Sequence, residues 1–135
     1  MKYDSHILKT MLLFEQLTKA KLKDCVEFKD HLVFIVRKGD MAKALGKRKE
    51  KAKQLQEKLN RNIKIVEFDP TVDGFIKNLI KPLKITSIEN DGEIVTIKGV
   101  DKKTNGLIIG ARAQNLRAYE KIVQKYFDVK EIKVI

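Results

Sequence analysis

The sequence predicts an α+β fold made of two successive copies of one small unit, each with a three-stranded sheet packed against helices. Segments with the helical spacing of apolar residues alternate with short runs rich in β-branched residues along the 135-residue chain. A helix–glycine–helix segment also recurs without a gap at an offset of 64 residues. These two observations divide the chain into a first copy at 1–69 and a second copy at 70–135.

The first copy starts with a helix and a pair of strands. Apolar residues recur at positions 7, 11, 14 and 17 behind the N-cap candidates Asp4 and Ser5, which predicts an amphipathic helix over about 4–20. Two extended runs follow at 22–28 and 32–37, and the polar residues between them predict a hairpin.

A short helix, a glycine and a longer helix complete the first copy. Gly39 and Asp40 end the second strand and are expected to cap a helix over 41–45, which Gly46 interrupts. A second helix is predicted over 50–59. The remaining predicted features are a break at 60–62, a strand over 63–68 and a boundary at the Asp69-Pro70 pair.

The second copy repeats this order after a connector helix. That helix is predicted over 71–81, where Pro82 stops it. Strands at 83–88 and 93–98 flank the sequence Asn90-Asp91-Gly92, which is typical of a hairpin turn. The remaining predicted elements are a helix over 103–109, a break at Gly110, a longer helix over 114–127 and a last strand over 131–135.

The repeat brings a glycine turn to the same place in both copies. Gly46 aligns with Gly110 and Arg48 with Arg112, whereas the preceding strands align at an offset of 61, so that the second copy has three more residues before its helix. Such a turn precedes a helix N-terminus, where unpaired N–H groups and the positive end of the helix dipole accept a phosphate. The two turns are therefore predicted phosphodiester sites.

Positive charge is concentrated in the first copy. The chain has 29 Lys and Arg against 18 Asp and Glu, a net charge of +11, and residues 1–68 hold +8 of it while residues 69–135 hold +3. This excess favours a polyanionic partner, with nucleic acid ahead of an acidic membrane, because clustered cations release counterions from phosphates. Seven basic residues lie within 43–58, namely Lys43, Lys47, Arg48, Lys49, Lys51, Lys53 and Lys58.

Two segments resemble the KH domains of archaeal NusA-related transcription factors. The segment KGDMAKALGKRKEKAKQLQEKL at 38–59 resembles the first KH domain of that family, and NGLIIGARAQNLRAYEKI at 105–122 is similar to the second. The Phe-Asp-Pro junction at 68–70 and the connector helix extend the likeness over nearly the whole chain. The resemblance implies two tandem KH domains of the prokaryotic type (type II), at 1–69 with its leading helix and at 70–135 with the connector helix 71–81.

The resemblance also implies a function. A KH domain clamps the backbone of about four nucleotides with a GXXG loop while a groove beside it holds unstacked bases. We therefore expect a monomeric, cytoplasmic, non-enzymatic factor of transcription elongation or termination that binds single-stranded RNA and RNA polymerase. The predicted RNA-binding residues are Lys43, Gly46, Lys47, Arg48, Lys49, Lys51 and Lys53 in the first copy, and Gly110, Ala111, Arg112, Ala113, Asn115 and Arg117 in the second.

Both loops depart from the family pattern at one position. Lys49 and Ala113 replace the second glycine, and a side chain there blocks the approach of a phosphate or disfavours the backbone shape of the loop. We expect the first loop to contribute more electrostatic binding and the second to act through shape and its groove. The alternative is a KH-fold protein-interaction module with weak or lost RNA clamping that docks on RNA polymerase or a ribosomal partner.

Other classes of protein find little support in the sequence. A single cysteine, Cys25, excludes an internal disulfide framework and a cysteine-based zinc cluster, which favours a reducing compartment. The N-terminal segment lacks an apolar signal core, and no stretch approaches the roughly 20 apolar residues of a membrane span. His6 and His31 do not have metal-ligand spacing, and no nucleophile–base set appears, so that no metal, cofactor or catalytic residue is predicted.

Three aromatic residues near the end of the chain are predicted to lie in the core. Tyr119, Tyr126 and Phe127 follow the apolar spacing of the last helix and match core positions of the first copy. Base stacking is the alternative role for their rings.

Overall fold

The computed structural model describes residues 3–135 and divides into two compact units, the first ending at Phe68 and the second running Asp69–Ile135. Helices and strands follow the order αββααβ in both units. The first unit contains α1 (Ser5–Thr18), β1 (Leu22–Phe28), β2 (His31–Val36), α2 (Met41–Leu45), α3 (Glu50–Leu59) and β3 (Asn62–Glu67). The second contains α4 (Val72–Ile80), β4 (Ile85–Asn90), β5 (Ile94–Gly99), α5 (Lys102–Ile109), α6 (Gln114–Gln124) and β6 (Glu131–Val134).

Each unit has its own mixed three-stranded sheet. In the first sheet, of order β1-β2-β3, the central strand β2 is antiparallel to β1 and parallel to β3. The second sheet, of order β4-β5-β6, has the same arrangement around β5. The predicted α+β class, with two three-stranded sheets packed with helices, is confirmed.

The core of the first unit is built on a pair of stacked rings. Phe14 of α1 and Phe34 of β2 lie with their ring centroids 4.5 Å apart, and both side chains are fully buried. Ala44 of α2 and Leu55 of α3 are buried in the same cluster. Burial of a large apolar side chain contributes about 2 kcal/mol, so this cluster fixes the helices on either side of the glycine turn against the sheet.

The core of the second unit is built around Phe75 of α4. Its ring meets Tyr126 edge-on at a centroid distance of 5.6 Å and lies 5.8 Å from Phe127. Tyr119 is 8% exposed, and its burial raises the pKa of the phenol. All three aromatic residues expected in the core therefore pack within this unit.

The end of α6 differs from the prediction. The helix ends at Gln124 rather than at Phe127, because the amides of Lys125 and Tyr126 bond to carbonyls three residues back and tighten the chain into a turn. This turn presents the rings of Tyr126 and Phe127 to Phe75.

Within residues 3–135, three helices begin with a side-chain cap, whereas Asp40 holds the predicted N-cap position of α2 without a capping hydrogen bond from its side chain. Asp4, Thr71 and Asp101 each accept a hydrogen bond from the third residue after them, at the start of α1, α4 and α5. The buried carboxylate of Asp40 instead accepts from the backbone amide of Lys21 at 2.9 Å. The N-cap position was predicted correctly, but this carboxylate ties the start of α2 to the chain entering β1 instead of capping the helix.

In each unit a side chain of the long helix holds the start of the last strand. The carboxylate of Glu120 on α6 accepts from the amide of Ile132 at 2.9 Å, and Gln56, at the equivalent position of α3, accepts from Ile63 at 3.4 Å. Glu120 is 8% exposed and also contacts Arg117 at 3.2 Å.

Removing the acceptor at residue 120 is predicted to destabilise the protein. Glu120→Ala leaves the buried Ile132 amide unpaired, which costs about 1–3 kcal/mol of unfolding free energy in urea titrations. Glu120→Gln keeps an acceptor oxygen and loses only the exposed contact to Arg117, worth about 0–1 kcal/mol. Equal losses in the two variants would show that the hydrogen bond to Ile132 is not what the glutamate contributes.

Candidate nucleic-acid interface

The first glycine turn joins α2 to α3 through a backbone that is left-handed at three of four positions. Gly46 has φ +73° and ψ −178°, and it is followed by a short 3-10 turn over Lys47–Lys49. Arg48 and Lys49 have φ values of +51° and +60°. Left-handed conformations cost about 1–2 kcal/mol for residues other than glycine, so the packed helices on both sides hold this turn in place.

The second turn, between α5 and α6, has the same shape. Gly110 has φ +75° and ψ 173°, Arg112 has φ +54°, and Ala113 has φ +60°. Each of these angles lies within 10° of its equivalent in the first turn. Lys49 and Ala113 therefore both have the left-handed backbone that a glycine adopts readily, and the two loops have the same shape.

The first glycine of each loop is required by both conformation and space. Its φ and ψ fall in a region that is essentially restricted to glycine. A Cβ at position 46 would lie 2.8 Å from Cγ of Lys51, and one at position 110 would lie 2.7 Å from Cγ of Asn115. Lys51 and Asn115 are equivalent in the repeat, and their side chains pass directly beside the loop glycine.

These two predicted site residues have partners inside their own units. The ammonium of Lys51 lies 3.4 Å from the carbonyl oxygen of Thr18 at the end of α1. The amide nitrogen of Asn115 donates to the carbonyl oxygen of Leu107 at 3.0 Å. Both contacts brace the loop against a neighbouring helix, and contact with RNA at these two positions stays a prediction.

The first loop presents unneutralised positive charge. Lys47, Arg48 and Lys49 are exposed in the turn, and Lys43 and Lys53 are exposed one helical turn to either side. Within residues 3–135, none of these five side chains has an ion-pair or hydrogen-bond partner. Five of the six cations predicted in the first copy are thus available to an anionic ligand.

Among the described residues, Arg112 is the one cation of the second loop without an ion-pair or hydrogen-bond partner. Arg112 is exposed, whereas Arg117 contacts both carboxylate oxygens of Glu120 at 3.2 Å. Ala111 and Ala113 contribute only methyl groups beside the turn. The charge difference between the two copies is therefore also a difference between the two loops.

The structure adds Leu107 to the candidate site, a residue that the sequence analysis missed. It lies on α5 three residues before Gly110 and is 49% exposed. Its equivalent in the repeat is Lys43, so that one position carries an ammonium in the first unit and an exposed aliphatic side chain in the second. The alignment of an apolar residue with a charged one in the repeat was the sequence signal that could have identified Leu107.

Shifted pKa values occur away from the two loops and have structural causes. Arg61 donates to both carboxylate oxygens of Glu27, at 2.7 and 2.8 Å, which lowers the pKa of that glutamate. Burial lowers the pKa of Lys64 on β3.

Among residues 3–135, no group of three or more His, Cys, Asp or Glu side chains is placed to hold a metal ion. No helix in the same range is both long and apolar enough to cross a bilayer.

Two glycines four residues apart provide a test of the loop geometry. Gly110→Ala is predicted to lower the unfolding free energy by about 1–3 kcal/mol, because alanine is strained at this φ and ψ and its Cβ collides with Asn115. Gly106→Ala is the matched control: this glycine lies in α5 and a Cβ there meets no atom within 4 Å. In the control variant the unfolding free energy is predicted to rise by about 0.5–1 kcal/mol. Thermal unfolding that ranks the two variants in the opposite order would contradict this geometry.

Known proteins resemble the chain over nearly its full length. No family model matches it. A protein of Thermoplasma acidophilum is 29% identical over 97% of this chain and 93% of its own length, and one of Halobacterium salinarum is 29% identical over 90% and 89%. Both are named probable transcription termination protein NusA. The crystal structure of APE1850 superimposes with a TM-score of 0.74 at 27% identity, over 98% of this chain and 100% of that one. The predicted resemblance is confirmed, and the chain is related to the archaeal NusA proteins.

Proposed function

We propose that the chain is a single-stranded RNA-binding factor of the NusA type that acts in transcription elongation or termination. In this proposal each αββααβ unit is a type II KH domain and each glycine turn is its RNA-binding loop. The names of the relatives support the transcriptional role. The observation that carries RNA binding is that two loops of the same left-handed backbone open onto the N-termini of α3 and α6.

The N-termini of α3 and α6 are suited to a phosphate. Whereas α1, α4 and α5 have side-chain caps, the N-cap positions of α3 and α6, Lys49 and Ala113, provide none. First-turn N–H groups without a cap keep hydrogen-bonding capacity, and the helix dipole adds positive potential. The first amides of α3 and α6, those of Glu50 and Gln114, donate to the carbonyl oxygens of Lys47 and Ala111 in the preceding 3-10 turns. In our proposal a phosphodiester is the acceptor for the first-turn N–H groups beyond them.

The two loops would bind RNA through different contacts. The first combines the helix N-terminus with the free cations of residues 43–53, so its contribution falls as salt rises. The second offers Arg112, two alanines and the exposed side chain of Leu107, which suits contact with the apolar faces of bases. Affinity for phosphates would thus come mainly from the first unit.

A second candidate function rests on the side chains at Lys49 and Ala113. A Cβ stands where the family has its second glycine, and it occupies space that an RNA backbone would otherwise approach. If RNA binding needs that space to be empty, the KH units serve instead as a protein-interaction module that docks on RNA polymerase or a ribosomal partner. In either role we propose a monomeric, cytoplasmic factor that works by binding and not as an enzyme.

Charge reversal in the first loop is predicted to weaken RNA binding strongly. The triple variant Lys47→Glu, Arg48→Glu, Lys49→Glu should lose at least about tenfold in affinity for a single-stranded RNA, measured by fluorescence anisotropy at low salt. Loss of three phosphate contacts should also make the slope of log K against log salt shallower by about 2.

Arg112→Glu is the comparison variant in the second loop. It should cost less affinity and change the salt slope by less than about 1, since it removes one cation. Equal losses in the two variants would refute the ranking of the loops. RNA binding that is undetectable at low salt, or that does not weaken as salt rises, would refute the RNA proposal and leave the protein-interaction role.

A further inference from the structure

A cleft separate from both glycine turns opens in the second unit, where α4 ends and β4 begins. Its volume is about 560 Å³. The residues that line it are Lys77, Ile80, Lys81, Pro82, Leu83, Lys84 and Ile85. None of the residues of the proposed RNA-binding loops lines this cleft.

The floor of the cleft is aliphatic. Ile80 is 2% exposed, Leu83 and Ile85 are half-buried, and Pro82 is exposed at the edge. No aromatic ring or side-chain amide is among the lining residues. Bases are held by stacking on rings and by hydrogen bonds to amides, so this floor suits an aliphatic side chain better than a base.

The rim of the cleft is positively charged. Lys77, Lys81 and Lys84 are exposed, and the lining contains no acidic residue. In the part of the chain that the structure describes, none of the three ammonium groups has an ion-pair or hydrogen-bond partner. A ligand with carboxylates on either side of an apolar group would complement this rim.

An edge strand starts inside the cleft. Ile85 both lines the cleft and begins β4, which is the outer strand of its sheet and pairs only with β5 within residues 3–135. An exposed sheet edge bonds to the backbone of an added polypeptide segment, while adjacent pockets select its side chains. Edge and cleft together favour a polypeptide over a nucleic acid.

We propose that this cleft is a docking site for an acidic segment of a partner protein, which inserts an aliphatic side chain between Leu83 and Ile85 and places its carboxylates near the three lysines. The cleft shares no lining residue with either loop, so this proposal and the RNA proposal can be tested separately.

Two synthetic peptides test the proposal on the full chain. The probe is a fluorescein-labelled nine-residue peptide, EEVELEVEE, and the control is EESESESEE, which keeps the charge and removes the aliphatic side chains. Anisotropy titrations at low salt should give the probe about tenfold higher affinity than the control. The variant Leu83→Asp should abolish this difference.

Two triple variants of equal charge change locate the binding. Lys77→Glu, Lys81→Glu, Lys84→Glu should lose about tenfold in affinity for the probe, whereas the triple reversal of Lys47, Arg48 and Lys49 should leave it nearly unchanged. Titration of both variants with single-stranded RNA should give the opposite pattern, which separates failure of this proposal from failure of the RNA proposal. Circular dichroism spectra of the variants are the control for folding, and they should match the spectrum of the unmodified protein.

Three results would overturn the docking site. The first is no binding of the probe at low salt. The second is an equal loss of affinity for the probe in the two triple variants, which would mean that net charge alone attracts the probe. The third is a larger loss of RNA binding in the cleft variant than in the loop variant, which would make the cleft an RNA site.

Discussion

The candidate nucleic-acid interface of this protein depends on one backbone constraint, the left-handed turn that follows a short helix in each unit. Gly46 and Gly110 adopt φ and ψ angles essentially restricted to glycine. A Cβ on either glycine would also collide with the side chain of Lys51 or Asn115. Two further left-handed residues in each turn add about 1–2 kcal/mol of strain apiece, which the buried cores around Phe34 and Phe75 offset. The N-cap residues at the end of the turns, Lys49 and Ala113, give α3 and α6 no side-chain cap, and these helix starts are the candidate positions for a ligand.

Duplication has preserved this backbone while the chemistry around it has diverged. The turns share their φ and ψ to within 10°, yet the first carries three consecutive cations and the second has one arginine between two alanines. Lys43 and Leu107, at equivalent positions, show the same divergence from charge to apolar surface. One backbone shape thus presents clustered positive charge in the first unit, and one arginine beside apolar side chains in the second.

Much of the fold follows from local sequence, because apolar spacing and glycine placement determine where helices and strands lie. The bounds of α2 and α3 match the prediction, since Gly46 and the break at 60–62 are local signals. Asp40 holds the predicted N-cap position of α2, but its side chain bonds to the amide of Lys21, 19 residues away, which no local pattern indicates. The side chains of Lys51 and Asn115 point toward the loop glycines because of how whole helices pack. The cleft between α4 and β4 depends on the path of the loop that joins them. Neither is visible in a run of residues.

Amide chemical shifts measure the central claim most directly. In a ¹⁵N-labelled sample titrated with a single-stranded RNA of about four nucleotides, the number that one KH loop clamps, the largest changes should occur at residues 46–51 and 110–115. The changes at 46–51 should diminish more steeply with added salt, since that loop carries the free cations. Saturable RNA binding that leaves both sets of amides unshifted would contradict the assignment of the two turns as the RNA-binding surface.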